Sequence, residues 1–223
     1  ANVSAANYSP NALTEKSIVA MYGVNLATNV ASAGTVPLPT NLLGTSVKIR
    51  DSNGVERLAP LFFVSSGQVN YQIPAGTAVG TAIVSTVNGD GVGAVSSLEV
   101  RAIAPGVFTA NASGSGAAAA LDAIKYTPAP FDSKLPNGDP NVIAVFGTGL
   151  GSDATDGGGD VKAEVTARLD GNVITLLYAG QAPGLVGANQ FNVVLPASIT
   201  SGVHTLTVAR AGVTSNTTTL AIR

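Results

Sequence analysis

The chain repeats itself. Ser17-Ile-Val-Ala-Met-Tyr-Gly-Val-Asn-Leu26 returns as Asn141-Val-Ile-Ala-Val-Phe-Gly-Thr-Gly-Leu150, offset by 124 residues. Gln68-Val-Asn-Tyr-Gln-Ile-Pro74 returns as Gln190-Phe-Asn-Val-Val-Leu-Pro196, and Gly80 to Arg101 returns as Gly202 to Arg223, both offset by 122. Three blocks in one order at near-constant spacing describe a duplicated unit, and each copy must close a core of its own. Pro and Gly interrupt the pattern at Ile103-Ala-Pro-Gly106, which puts the units at 1–103 and 104–223.

Within each unit the local pattern is that of strands. Ser46-Val-Lys-Ile-Arg50 alternates polar with apolar, as a half-buried strand does, and Asp51-Ser-Asn-Gly54 turns the chain before Glu56 to Val64 resumes. In the second unit Ala163 to Leu169, the turn Asp170-Gly-Asn172 and Val173 to Tyr178 occupy a comparable place. Pro74 and Pro196 each end a strand, where a missing amide donor does least harm. Thr205 to Arg210 and Thr217 to Ile222 form a last pair around Ala211-Gly212. Ala117–Leu121 reads as a small-residue strand, and Asp132 to Pro140 as a surface loop. Many short strands between turn signals predict an all-β protein made of two tandem immunoglobulin-like β-sandwich domains.

Composition narrows function by exclusion. Charged residues make up 11% and the net charge is −2, against about 25% charged in ordinary domains. Eleven scattered Lys and Arg supply no basic face for nucleic acid or anionic membrane. There are no cysteines, so disulfides and thiolate metal sites are excluded. No apolar run approaches the length of a membrane helix.

No catalytic, cofactor or metal residue emerges. His204, the one histidine, would have to serve any Ser–His–Asp triad; it starts a predicted strand and aligns with Ala82. Asp153, Asp156 and Asp160 lie in a Gly-rich loop where oxygen ligands could meet calcium, but not at EF-hand spacing. Gly147-Thr-Gly-Leu-Gly151 reads as turn chemistry rather than a phosphate loop. Tyr22, Phe62, Phe63, Tyr71, Phe146, Tyr178 and Phe191 are expected in cores, and Tyr8, Tyr126 and Phe131 on the surface. Asn2, Asn7, Asn111 and Asn216 head Asn-x-Ser/Thr triplets, and Lys16, Lys125 and Lys134 are the lysines considered for isopeptide bonds to Asn.

Ser17–Leu26, Val64 to Pro74, Ala104-Pro-Gly-Val-Phe108, Tyr178 to Pro196 and Gly212-Val-Thr-Ser-Asn216 together resemble the Solibacter-type (acidobacterial) C-terminal domain proteins, and each sandwich is similar to the IPT/TIG group. That resemblance implies a secreted or cell-surface bacterial protein and carries over no site residue. The second unit alone has Ala182-Pro-Gly-Leu-Val-Gly187 before its Gln-x-Asn block. The expected function is a non-enzymatic extracellular structural or adhesive module. One version is a surface fibre in which Ala1–Pro10 supplies a free strand to a neighbouring copy or another surface protein. The alternative is a carbohydrate- or cell-wall-binding module with polysaccharide as partner, recognised by an exposed aromatic or amide-rich groove.

Overall fold

The computed structural model describes residues 1–10 and 13–223. The protein is all-β, with two immunoglobulin-like β-sandwiches in tandem. The first comprises β1 (Asn2–Ser4), β2 (Ile18–Tyr22), β3 (Ala31–Ser32), β4 (Ser46–Arg50), β5 (Glu56–Leu58), β6 (Leu61–Val64), β7 (Gln68–Gln72), β8 (Gly80–Val87) and β9 (Gly93–Val100). Its two layers run β1-β2-β7-β6-β3 and β5-β4-β8-β9. The second comprises β10 (Gly106–Val107), β11 (Gly116–Ala117), β12 (Ala120–Asp122), β13 (Val142–Thr148), β14 (Val165–Leu169), β15 (Asn172–Ile174), β16 (Leu176–Gln181), β17 (Asn189–Val194), β18 (Gly202–Arg210), β19 (Val213–Thr214) and β20 (Thr218–Ile222). Its layers run β10-β13-β17-β16, with β12 also on β13, and β11-β20-β18-β14-β15, with β19 on β18. Among the described residues, no helix is long and apolar enough to cross a membrane.

The period-2 pattern of each strand decides which side chains meet inside. β7 buries Val69 and Tyr71 and turns Gln68 and Asn70 outward; β17 buries Phe191 and Val193 and turns Gln190 and Asn192 outward. The first core gathers Val19, Val47, Ile49, Leu61, Tyr71 and Val84, and the second gathers Ile143, Val145, Phe191, Leu206, Val208 and Leu220. Tyr71 satisfies its buried hydroxyl by donating to Asn2 Oδ1 at 3.0 Å, and burial pushes its pKa up. A β-bulge falls at the same place in both halves, between Leu61 and Phe63 and between Leu176 and Tyr178.

The turn at Asp51–Gly54 forms as the sequence predicts. Its buried Asp51 accepts from the amides of Asn53, Val55 and Ala78 and from Arg57 Nη1 at 2.7 Å. Burial alone would raise the Asp51 pKa, but these donors together hold it below the usual carboxylate value. Ala117–Leu121 is not one strand. β11 lies parallel to β20, then the chain crosses between layers and continues as β12 on β13; the buried methyl groups of Ala118 and Ala120 are small enough for that crossing.

Several aromatic expectations need correcting. Phe131 is 2% exposed and belongs to the second core, because its backbone pairs with the last strand at Ile222. Tyr22 is 38% exposed, and Phe62, Phe63, Phe146 and Tyr178 are half-buried. Alternation in a two-layer sandwich puts every second strand residue on an outer face, whatever its polarity. The expected free strand in Ala1–Pro10 is also corrected: β1 is paired along its length with β2, from Asn2 opposite Met21 to Ser4 opposite Val19. Phe191→Ala is expected to destabilise the second half by about 3–5 kcal/mol, the usual cost of emptying a core aromatic site, as read by urea denaturation.

Candidate functional site

The acidic loop does not gather its carboxylates around one point. Asp153 accepts two hydrogen bonds from Arg210, at 2.7 Å from Nη1 and 2.6 Å from Nη2. Asp160 accepts from Lys162 Nζ at 2.8 Å and from the Ala179 amide at 3.1 Å. Asp156 accepts from the Gly187 amide at 3.0 Å and from the Gln72 side-chain amide. The guanidinium beside Asp153 and the ammonium beside Asp160 hold both carboxyls below their usual range. Each carboxylate is thus directed at a different protein donor, and no cluster of metal-ligating side chains forms among the described residues.

What the loop builds is a joint. Lys16, from the first sandwich, extends its ammonium into the second and donates to the carbonyls of Ser152, Thr155 and Asp156 at 3.1–3.3 Å, using its three N–H donors. Gln72 Nε2 reaches Asp156 while also donating to Lys16 O at 2.9 Å. The Ile18 amide donates to Thr148 Oγ1 at 3.1 Å, and the same hydroxyl donates to Gly187 O at 2.7 Å. Gly187 has φ +71°, and a Cβ there would lie 2.8 Å from Ile18 Cγ1. Only glycine tolerates both the backbone conformation and the approach. On another side of the joint, the Tyr8 hydroxyl donates to Ala112 O, and a Cβ on Gly106 would fall 2.9 Å from Ala6 Cβ. The segment 5–8 is therefore wedged between the halves. A cleft of about 300 Å³ opens beside the joint, with Glu15, Arg101, Asp153 and Arg210 in its walls.

The second half braces the loop from behind. Asn189 is fully buried; its amide donates to Ala154 O and Thr155 Oγ1 at 2.9 Å, and its carbonyl accepts from the Leu150 amide at 3.0 Å. Buried Arg210 adds Leu150 O at 2.8 Å and Glu164 at 2.7 Å to its bonds with Asp153, and those two carboxylates push its pKa up. The insert Ala182–Gly187, which the first repeat lacks, and the loop Gly151–Asp160 both converge on the joint. Sequence reading singled out both without finding their common role. The one available signal was the insert's absence from the first repeat.

The other candidates have structural partners. His204 Nδ1 lies 2.7 Å from Asp170 Oδ2 and Nε2 lies 3.0 Å from Thr200 O. Both ring nitrogens face acceptors, so the pair favours imidazolium, and Nε2 points at a carbonyl rather than a nucleophile. The bond to Asp170 raises the His204 pKa and the bond to His204 lowers that of Asp170. Gly147 and Gly149 let the 104–106 backbone pass close by: a Cβ on either would meet Gly106 O or Ala104 O at 2.2–2.3 Å. Asn2 accepts from Tyr71 and donates to Ser96 Oγ at 3.0 Å, and Asn216 donates to Val107 O and Gly114 O at 3.0 Å; both amides are spent inside the fold. Asn7 and Asn111 close local turns onto the amides of Ser9 and Ser113. Lys125 pairs with Asp132 at 2.6 Å. The backbone of Lys134 bridges to Pro140 in the surface loop.

No protein-family model matches this chain, and no curated protein matches it. Solved structures do align with it. The mixed-linkage glucan utilization protein SGBP-B of Bacteroides ovatus, in complex with a mixed-linkage heptasaccharide, matches 96% of this chain and 43% of its own at 12% identity and a TM-score of 0.40. A BSP domain of a biofilm-associated protein matches 94% of this chain and 28% of its own at 17% identity and a TM-score of 0.30. Domains 5–6 of the S-layer protein SbsC match 100% of this chain and 95% of their own at 15% identity and a TM-score of 0.33. The chain thus spans less than half the length of the first two. At these scores the likenesses carry no functional weight.

Gly187→Ala is expected to lower stability by more than about 1 kcal/mol, since alanine is disfavoured at positive φ and its methyl would enter Ile18; urea denaturation measures it. The His204–Asp170 pair has a defined pH window. A depressed carboxyl stabilises above the ordinary Asp value and loses that contribution as pH falls through its lowered pKa. A raised imidazole stabilises fully below the ordinary His value and loses it as pH rises through its elevated pKa. Stability profiles of the native chain and His204→Ala should therefore differ most between about pH 4 and 6.5 and converge as pH rises.

Proposed function

We propose that this chain is a non-enzymatic extracellular module, a stiff two-domain spacer that holds an adhesive or binding partner at fixed distance and orientation within a bacterial surface protein of the Solibacter-type group. The joint carries this reading. Tandem sandwiches joined by a short segment move independently unless their interface is specific. Here Lys16, Ile18 and Gln72 of one sandwich are hydrogen-bonded to Ser152, Thr155, Asp156 and Thr148 of the other, and the N-terminal turn is wedged alongside. Gly187, from the insert that only the second repeat has, packs against Ile18 in this joint, which suits a joint rather than a fold requirement. Strand donation from Ala1–Pro10 to a neighbour is disfavoured, because releasing β1 would break its ladder with β2 and withdraw Tyr8 from the joint. Other surface proteins, or the remainder of a longer chain, are the natural partners of such a spacer.

The reading is tested by backbone 15N relaxation. The two sandwiches should tumble with a single correlation time in the native chain, and the double substitution Gln72→Ala/Asp156→Ala should let them reorient separately while both cores stay folded. Independent tumbling of the native halves would remove the spacer reading.

A further inference from the structure

The outer face of the layer β10-β13-β17-β16 carries a groove of about 530 Å³, with Tyr126, Phe146, Pro183, Leu185, Gln190 and Asn192 among its lining residues. A second depression of about 510 Å³ shares Leu121 and Phe146 with it, so a trough continues on both sides of the Phe146 ring. Among the described residues lining either part, none is charged. We infer that this trough binds a neutral oligosaccharide chain, with Tyr126 and Phe146 stacking on sugar faces and Gln190 and Asn192 bonding its hydroxyls.

Four observations support it. First, Tyr126 is presented rather than packed. It is 75% exposed and sits at φ +55°, a conformation unfavourable for a bulky side chain. Its position is enforced by buried Asp122, whose carboxylate accepts from the amides of Ile124 and Lys125 and from Asn141 Nδ2 at 2.7–2.9 Å. Strain held in place by surrounding bonds is what a preformed binding surface requires. Second, Gln190 Nε2 donates to Asn192 Oδ1 at 2.8 Å. That bond orients both amides and leaves the Gln190 side-chain carbonyl as acceptor and the Asn192 amino group as donor for a ligand's vicinal hydroxyls.

Third, the outward constellation exists twice. In the first half Gln68 Nε2 donates to Asn70 Oδ1, also at 2.8 Å. Tyr22 stands opposite Gln68 as Phe146 stands opposite Gln190. The bulges place Phe63 opposite Asn70 and Tyr178 opposite Asn192, and bulges re-aim side chains in this way. These positions face away from the cores, so packing does not account for the recurrence. Fourth, the wall made by Pro183 and Leu185 comes from the insert that the first repeat lacks. The same insert that reaches the joint with Gly187 closes one side of the trough. Aromatic rings beside paired amides, without charge, suit a ligand with apolar ring faces and a hydroxyl-bearing rim. They do not suit phosphate, an acidic polymer or a purely apolar helix.

The inference is independent of the joint. It is tested by affinity electrophoresis of the full chain through gels containing hydroxyethylcellulose, arabinoxylan or soluble starch, with polygalacturonate as the charged control. Retardation is expected in at least one neutral gel, with affinity weakened about tenfold by Tyr126→Ala and by Asn192→Ala. Thermal unfolding of each variant checks its fold, and Leu185→Ser tests the wall should Tyr126→Ala prove unstable. Absence of retardation in every neutral gel would overturn the inference. So would equal retardation of native and variant chains, retardation by polygalacturonate alone, or binding to an apolar phenyl matrix that Tyr126→Ala abolishes without any polysaccharide response.

Discussion

One buried amide organises the more specialised half of this molecule. Asn189 begins the β-strand that also carries Phe191 into the core, and from that fixed point it holds Leu150, Ala154 and Thr155. A buried amide left without partners costs about 1–3 kcal/mol, so the loop and the strand are obliged to keep this register. The loop then has its carbonyls aligned for Lys16 and its Asp156 aimed at Gln72 and Gly187. The repeat places Gly67 where Asn189 stands. With no side chain to tie a loop there, the first half has no equivalent of the joint.

Duplication explains how such a device can arise on an unchanged scaffold. Both sandwiches keep the same inner positions, since a change there opens a cavity or forces strain. Their loops are under no such constraint, and loops positioned by a rigid scaffold are where new contacts are made. Arg210 illustrates the point. Its counterpart Asn88 closes a turn, accepting from the amides of Asp90 and Val92, and donates to Asn25 O at 3.0 Å. Arg210 instead spans Leu150, Asp153 and Glu164 and stiffens the loop that meets the other half. The exposed carboxylates around it would contribute little as separate surface pairs; their value lies in converging on a buried guanidinium with fixed geometry.

The insert has two consequences from six residues. Its glycine end allows backbone contact between sandwiches, and its Pro-Gly-Leu portion raises a wall over the outer face of β17. Joint and trough are therefore mechanically adjacent, and a ligand in the trough would be held at a defined orientation to the neighbouring sandwich.

The fold class was legible in the sequence because strand periodicity and the repeat are local properties. Gln-x-Asn with alternating apolar neighbours marks one inner and one outer face whether or not the partner strand is known, and Gly54 and Gly171, which take positive φ, mark the Asp51 and Asp170 turns. Composition also set the absence of disulfides and of a basic face. The destination of the individual side chains was a matter for the tertiary structure. Phe131 is inside because a residue 91 positions later pairs with its backbone; Tyr22 is outside because its strand ends in the outward phase; Asp153, Asp156 and Asp160 look like one ligand set in sequence yet face separate sets of donors. The reason is physical: period 2 assigns a face from neighbours in the chain, whereas a partner across a joint is fixed by loop closure between residues 84 or more positions apart, and no local pattern encodes that distance.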